Sequence, residues 1–248
     1  MNTAETPNED LRTQELSRSL AAVHERIDRA LVAAGREDRP ELIVVTKYFP
    51  AADVERLHSL GVRHVGENKD QEAAAKAAES GHLEGLNWHF IGQLQSNKAK
   101  SVARYAHAVH AADRLKIVRA LANASAAARE AGQRTAALDC LIQVDLRSPV
   151  PNDGRGGAVP ADVPALAEAV AESEHLRLTG LMAVAPLDEP AGPAFQRLAE
   201  LSEQLRKDHP EAAAVSAGMS QDLEEAVAHG ATHLRIGRDV LGERPDHR

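Results

Sequence analysis

This sequence has very little thiol chemistry: Cys140 is its one cysteine. No disulfide can form within the chain, which fits a reducing compartment. Leu138, Ile142 and Val144 flank Cys140 at alternate positions, so it reads as a buried strand residue and not a reactive thiol. Aromatic residues are scarce, at 2% of the chain, so any core must be built from Leu, Val, Ile and Ala. No apolar run approaches the roughly 18 residues that a membrane span needs. The opening MNTAETPNEDLR has neither a basic nor an apolar stretch, which argues against a signal peptide and for a cytoplasmic protein. Positive charge is also lacking. The formal net charge of −8 excludes a general nucleic-acid binder, which needs a basic face to neutralise phosphates. An anionic ligand would have to be held by a local cluster of donors. No histidine pair stands at metal-binding helical spacing beside carboxylates, so no metal is expected.

What is present is a core and a rhythm. Apolar residues make up 43% of the 248 residues, enough to bury one large domain. Residues 1–10 read as a disordered tail, leaving 11–248 as the folded unit. Leu16, Leu20, Val23, Ile27 and Leu31 recur at spacings of three and four, the single apolar stripe of a helix that Gly35 should stop. Short β-rich runs then alternate with Ala- and Glu-rich helical segments. The runs are Leu42–Thr46, Val62–Gly66, Trp88–Ile91, Ala108–Ala111, Ala137–Val144, Leu178–Val184, Ala213–Ser216 and His233–Ile236. The intervening helices begin near Val54, Glu67, Asn97, Leu115, Pro164, Ala194 and Asp222. Eight strands in strict alternation with helices predict a single (β/α)8 TIM-type barrel with an additional N-terminal helix. Ser148–Pro160 is expected to be one long loop after the fifth strand.

A barrel says where function should lie: at the C-terminal ends of the strands, with phosphates after the last two. Lys47 ends the run ELIVVTK. A lysine desolvated there would be neutral more often, and a neutral amine attacks carbonyls; a surface lysine that merely follows a strand fits the spacing as well. In AVSAGMSQDLEEAVAHG, Ser220 can cap a helix whose first turn is acidic, and the same helix end can receive an anion. In HLRIGRDVLG, Gly237 lets backbone N–H groups approach an oxyanion, with Arg235 and Arg238 on either side. His107 and His110, three apart on a strand, should point to opposite faces. His89, in NWHFIGQLQSNKAK, reads as a core residue supporting the site and not as a base.

These segments, VTKYFP, HVGENKDQE, NWHFIGQLQSNKAK, TGLMAVAP, SAGMSQDLEEAVAHGATHLRIG and LGER, resemble those of the pyridoxal phosphate homeostasis proteins, relatives of the N-terminal barrel of alanine racemase. The match runs in order from about Leu42 to Arg244. The resemblance implies a barrel without the racemase's second domain, binding pyridoxal 5′-phosphate as a Schiff base on Lys47. It implies that Ser220 and the backbone around Gly237 hold the phosphate, that Arg235 faces the pyridine nitrogen, and that Asn68 and His89 line the ring pocket beside Met182. The sequence departs from the family where a small hydroxyl residue usually follows RIG; here Arg238 stands, and it is expected to reach the phosphate. The loop RSPVPNDGRGG also departs from the family's usual Ser/Lys/Gly-rich composition, so no role is assigned to it.

The resemblance implies cofactor storage, delivery or sensing by a monomer, with apo-enzymes as the recipients and no catalytic residue. The alternative is a pyridoxal-phosphate-dependent racemase or decarboxylase. A two-base racemase needs a second base, and this chain has only two tyrosines, Tyr48 beside the lysine and Tyr105 on a helix. An arginine at the pyridine nitrogen also leaves the ring a weak electron sink, which suits holding the cofactor.

Overall fold

Eight short parallel strands pair in chain order and close, the last onto the first, in the computed structural model, which describes residues 7–151 and 157–244. They are β1 (Glu41–Val45), β2 (His64–Glu67), β3 (Asn87–Phe90), β4 (Ala108–Ala112), β5 (Leu138–Val144), β6 (Leu176–Ala183), β7 (Ala214–Ser216) and β8 (His233–Ile236). Around them run α2 (Ala51–Ser59), α3 (Asp70–Glu79), α4 (Ala99–Tyr105), α5 (Leu115–Glu130), α6 (Val163–Ala171), α7 (Ala191–Asp208), α8 (Leu223–Ala228) and the short α9 (Arg238–Leu241). The core is aliphatic, as the scarcity of aromatics requires, and Cys140 lies fully buried within it, its thiol pushed up to about 12 by desolvation. No helix among the described residues is long and apolar enough to cross a membrane.

The additional helix, α1 (Pro7–Ala34), ends just before Gly35 as expected. It starts earlier than expected: residues 7–10, assigned to the tail, are its first turn, while residues 1–6 lie outside the described residues. Leu16, Leu20, Val23, Ile27 and Leu31 are all buried, so the apolar stripe docks the helix on the barrel, against α2, α8 and α9. Polar anchors reinforce the dock. Arg12 donates to Asp53 on α2 and to the Leu241 carbonyl, and Arg36 donates to the Val227 and Ala231 carbonyls.

Strand limits differ from the expected ones by a residue or two, and one difference matters. Glu67, expected to open a helix, is the last residue of β2 and fully buried. The reason is a partner nine residues on: Lys76 of α3 donates to Glu67 Oε1 at 2.7 Å and to the Thr46 carbonyl at 2.9 Å, and the Thr46 hydroxyl donates to the same Oε1 at 2.7 Å. The charge is thus buried outside the barrel wall, under α3. The described part of the long loop after β5 folds back on it, with Ala158 bridging Val144; residues 152–156 lie outside the described residues.

Candidate functional site

The site begins where β1 ends. Ile43 pairs with Arg235 and Val44 with Ile236, and a Cβ on Gly237 would stand 3.2 Å from the Val45 carbonyl oxygen. Gly237 therefore carries the β8 backbone close against β1, one turn from Lys47. Lys47 is half-buried, in the turn after the strand. That turn is strained: Tyr48 sits at φ 73°, a left-handed conformation that costs a non-glycine residue about 1–2 kcal/mol. Several contacts hold it there. Thr46 O accepts the Phe49 N–H at 3.1 Å, the Arg244 guanidinium lies 3.9 Å over the Tyr48 ring, and the Lys69 ammonium lies 5.4 Å from the same ring. The backbone that aims Lys47 is fixed by its neighbours.

Asn68 follows β2 beside this turn, and its Oδ1 is buried with no hydrogen-bond partner among the described residues. The chain cannot retreat from it, because a Cβ on Gly92 would stand only 2.2 Å from the Asn68 carbonyl oxygen. Met182 is buried on β6, in register with Gln143 and Ser216. Opposite β1, at the ends of β5 and β6, a cleft of about 430 Å³ opens between Asp145, Arg147 and the segment 184–188.

Arg235 is 4% exposed. It donates to the Ser216 hydroxyl at 2.6 Å and to the Ala183 carbonyl at 2.8 Å, which uses two of its five N–H groups. Among the described residues no carboxylate lies within ion-pair distance of it. Burial pulls its pKa down to about 10, against a favourable field from Asp222.

Ser220 does not cap α8. The residue before that helix is Asp222, and its Oδ1 accepts the Met219 N–H at 2.6 Å, closing a turn that leaves Ser220 upstream of the helix. The turn is tethered from outside: Arg26 of α1 donates to the Ser220 carbonyl at 2.7 Å and to Asp239 at 2.9 Å. The added helix thus ties together the loops after β7 and β8. Arg238 opens α9 with its side chain 62% exposed and Nε 3.5 Å from Glu243.

His89 stands apart from the mouth. It is 3% exposed, and both ring nitrogens are engaged, Nε2 with His64 at 2.8 Å and Nδ1 with His110 at 2.9 Å. Neither nitrogen is left for a ligand. The expectation that His107 and His110 face opposite ways fails. His107 precedes β4, so strand alternation does not apply to it, and both rings lie near His89, with centroids 5.7 and 5.1 Å away. Lys47, Asn68, Arg235 and Gly237 are thus gathered at one end of the barrel, with Ser220 on a tethered loop there and His89 below. Sequence reasoning missed Ser216, which holds Arg235, and the buried pair of Glu67 and Lys76. The alternation of His64, His89, His110, Ser216 and Arg235 on separate strands was the available signal, but their contact depends on the closed barrel.

The family model described as "Alanine racemase, N-terminal domain" matches residues 19–245. The chain is 43% identical over 243 residues to the pyridoxal phosphate homeostasis protein of Mycobacterium bovis, covering 94% of each chain. It is 36% identical over 244 residues to that of Escherichia coli K12, covering 93% of this chain and 97% of the other. Among solved structures, PipY of Synechococcus elongatus with PLP bound superposes with a TM-score of 0.77 at 30% identity, covering 92% of this chain and all of that one.

Proposed function

The chain belongs to the alanine racemase N-terminal domain family and, within it, to the pyridoxal phosphate homeostasis proteins, and from that premise we propose that it binds pyridoxal 5′-phosphate at the barrel mouth to store, deliver or sense it. Bound, the cofactor supplies a reactive aldehyde, a pyridine ring and a phosphate. Lys47 is the amine that takes the aldehyde. Arg235 faces the pyridine nitrogen, Asn68 and Met182 flank the ring, and Ser220, the Gly237 backbone and Arg238 hold the phosphate. His89 supports the pocket from below.

The observation that carries this reading is Arg235. A guanidinium almost out of solvent is ordinarily paired, because an unpaired buried charge is costly. Arg235 has only neutral hydrogen-bond partners among the described residues, with the Asp222 carboxylate farther off, and has N–H groups to spare. The unpartnered Asn68 Oδ1 points to the same missing group. A ring with an acceptor nitrogen and polar substituents fits both.

The same arginine supports a carrier and not an enzyme. It can donate to a pyridine nitrogen but cannot protonate it, so the ring stays a poor electron sink. Tyr105 is no second base. Its hydroxyl lies 3.5 Å from Asp70 on α3, outside the barrel, and burial raises its pKa. The buried, unpaired Cys140 supports a reducing compartment such as the cytoplasm.

The test is a visible spectrum of the purified protein before and after borohydride, followed by mass mapping. The expected result is a reducible band and a phosphopyridoxyl label on Lys47. A label on Lys69 or Lys98, or no cofactor at all, overturns the reading. Robust turnover of an amino acid by the loaded protein overturns the carrier assignment.

A further inference from the structure

A file of polar groups runs through the barrel from its N-terminal end to the mouth. Glu41 opens β1, and His64 Nε2 lies 3.3 Å from its carboxylate. His64 Nδ1 meets His89 Nε2 at 2.8 Å, His89 Nδ1 meets His110 Nε2 at 2.9 Å, and His110 Nδ1 meets Ser216 Oγ at 3.0 Å. Ser216 Oγ accepts from Arg235 at 2.6 Å. His89, His110, Ser216 and Arg235 are buried, so no water competes along most of the file.

The carboxylate end favours one direction for the bonds of the file. An ionised carboxylate 3.3 Å from His64 Nε2 can only attract a proton there, so the Nε2–H form of His64 is favoured. A neutral imidazole then has only Nδ1 left as an acceptor, and His89 must supply it with Nε2–H. The same step repeats at His110, whose Nδ1 must accept the Ser216 hydroxyl proton. The Ser216 oxygen, its proton committed, is left to accept from Arg235, which can only donate. Neutrality is what the surroundings favour. Burial holds His89 and His110 well below the usual imidazole range, and burial outweighs the Glu41 carboxylate at His64. A cation on one ring would not fit this order, since it would donate both ways and reverse every link on its Ser216 side.

We infer that His64, His89, His110 and Ser216 form a one-way hydrogen-bond chain, directed by the Glu41 carboxylate beside His64, that holds the three histidines as Nε2–H tautomers and sets Ser216 as the acceptor positioning the Arg235 guanidinium for the cofactor ring. These are positioning residues. The chain carries no proton to the cofactor, because its terminal donor is an arginine that stays protonated. Each bond polarises the next, so a carboxylate at one end strengthens the acceptor at the other. The role of Arg235 rests on the function proposed above; the tautomers do not. His107 and His233 stand beside the file, 3.7 Å from Asp139 and 2.7 Å from the Thr232 hydroxyl respectively, and add no link to it. Among the described residues no three ligating groups converge to hold a metal.

The experiment uses the full chain with 15N-labelled histidine, in two-bond 1H–15N correlation at neutral pH, before and after adding pyridoxal 5′-phosphate. His64, His89 and His110 should each show a protonated Nε2 and an unprotonated Nδ1 in the cofactor-free protein. A protonated Nδ1 on any of them overturns the chain. Glu41 is exposed and remote from the mouth, so Glu41→Ala should fold; it should mix the tautomers of His64 and His89, and unchanged tautomers overturn the directing role of the carboxylate. Ser216→Ala should shift the bound cofactor's absorption band and weaken phosphorylated cofactor and unphosphorylated pyridoxal alike, by about tenfold, with Ser216→Thr restoring both. An unshifted band in Ser216→Ala overturns the positioning role. If the parent binds no cofactor, the proposed function fails while the tautomer result still decides the chain.

Discussion

Two cations are buried on the two sides of one barrel wall. Outside, Lys76 meets the Glu67 carboxylate and the Thr46 carbonyl, so its charge is paired with an opposite one. Inside, Arg235 meets a hydroxyl and a carbonyl but no carboxylate among the described residues. The first cation has its counter-charge within the chain and belongs to stability. The second has no counter-charge at contact among the described residues, which is what the proposed cofactor site would use. Desolvation costs are similar in kind on both sides, so the missing counterpart is what distinguishes a site from a scaffold.

The sharpest way to break this division is at Lys47. Lys47→Ala should abolish the borohydride-fixed label entirely, while the unfolding free energy measured in urea changes by no more than about 0.5 kcal/mol, as for a side chain outside the packed layers. Large destabilisation would move Lys47 to the scaffold side. Lys76→Met should do the reverse. It leaves Glu67 buried and unpaired, at a cost of about 3–5 kcal/mol in stability, and Lys76→Met with Glu67→Gln should recover much of that. Cofactor affinity measured in the folded fraction should hardly move. Arg235→Met should then lose about 1.5–3 kcal/mol of cofactor affinity, the worth of a hydrogen bond to a charged donor, and less stability than Lys76→Met. Stability losses of equal size in the two would erase the distinction.

The division was only half legible in the sequence. The barrel was, because eight short β-rich runs alternate with Ala- and Glu-rich helical segments along the chain. Lys47, Asn68, Arg235 and Gly237 were legible because strand ends in a barrel share one face. Glu67 was misjudged because a charged residue at the end of HVGE looks like the start of a helix; only the distant Lys76 makes its burial affordable. Ser220 reads as a cap because a hydroxyl stands just upstream of an acidic helix start, but α8 begins three residues later at Leu223, and Asp222 closes the turn that precedes it. The histidine file joins five strands, and no spacing along the chain encodes contacts across a closed barrel.

Acid should expose the interior file. His89 and His110 are held below their unfolded value of about 6.5, chiefly by burial. Above that value neither the folded nor the unfolded state binds the protons, and stability is complete. As pH falls below about 6.5 the unfolded chain takes them up and the folded one does not, so stability declines by as much as about 1.4 kcal/mol per pH unit for each histidine. Urea midpoints between pH 7 and 5.5, a window above most carboxylate titration, should fall steadily. A flat profile would mean that these rings titrate in place, and the inside of the barrel would be no drier than its surface.

Arg238 carries the smallest effect and the finest test of where the site ends. Its guanidinium is mostly exposed, and its one ion pair among the described residues is with the exposed Glu243, a pairing worth at most about 1 kcal/mol and easily exchanged. It stands immediately after Gly237, whose backbone packs against β1, and it opens α9, where a cation is mildly unfavourable without an anion nearby. A cofactor phosphate held at Gly237 would be that anion. A charge-assisted bond is worth about 1.5–3 kcal/mol against about 1 for a neutral one, and exposure favours the lower end. Arg238→Thr should therefore weaken the phosphorylated cofactor by a few-fold, more at low salt than at high, because an exposed charge is screened. Unphosphorylated pyridoxal should bind mutant and parent alike. Equal affinities for the phosphorylated form would leave Arg238 with Glu243 in solvent and end the site at the Gly237 backbone.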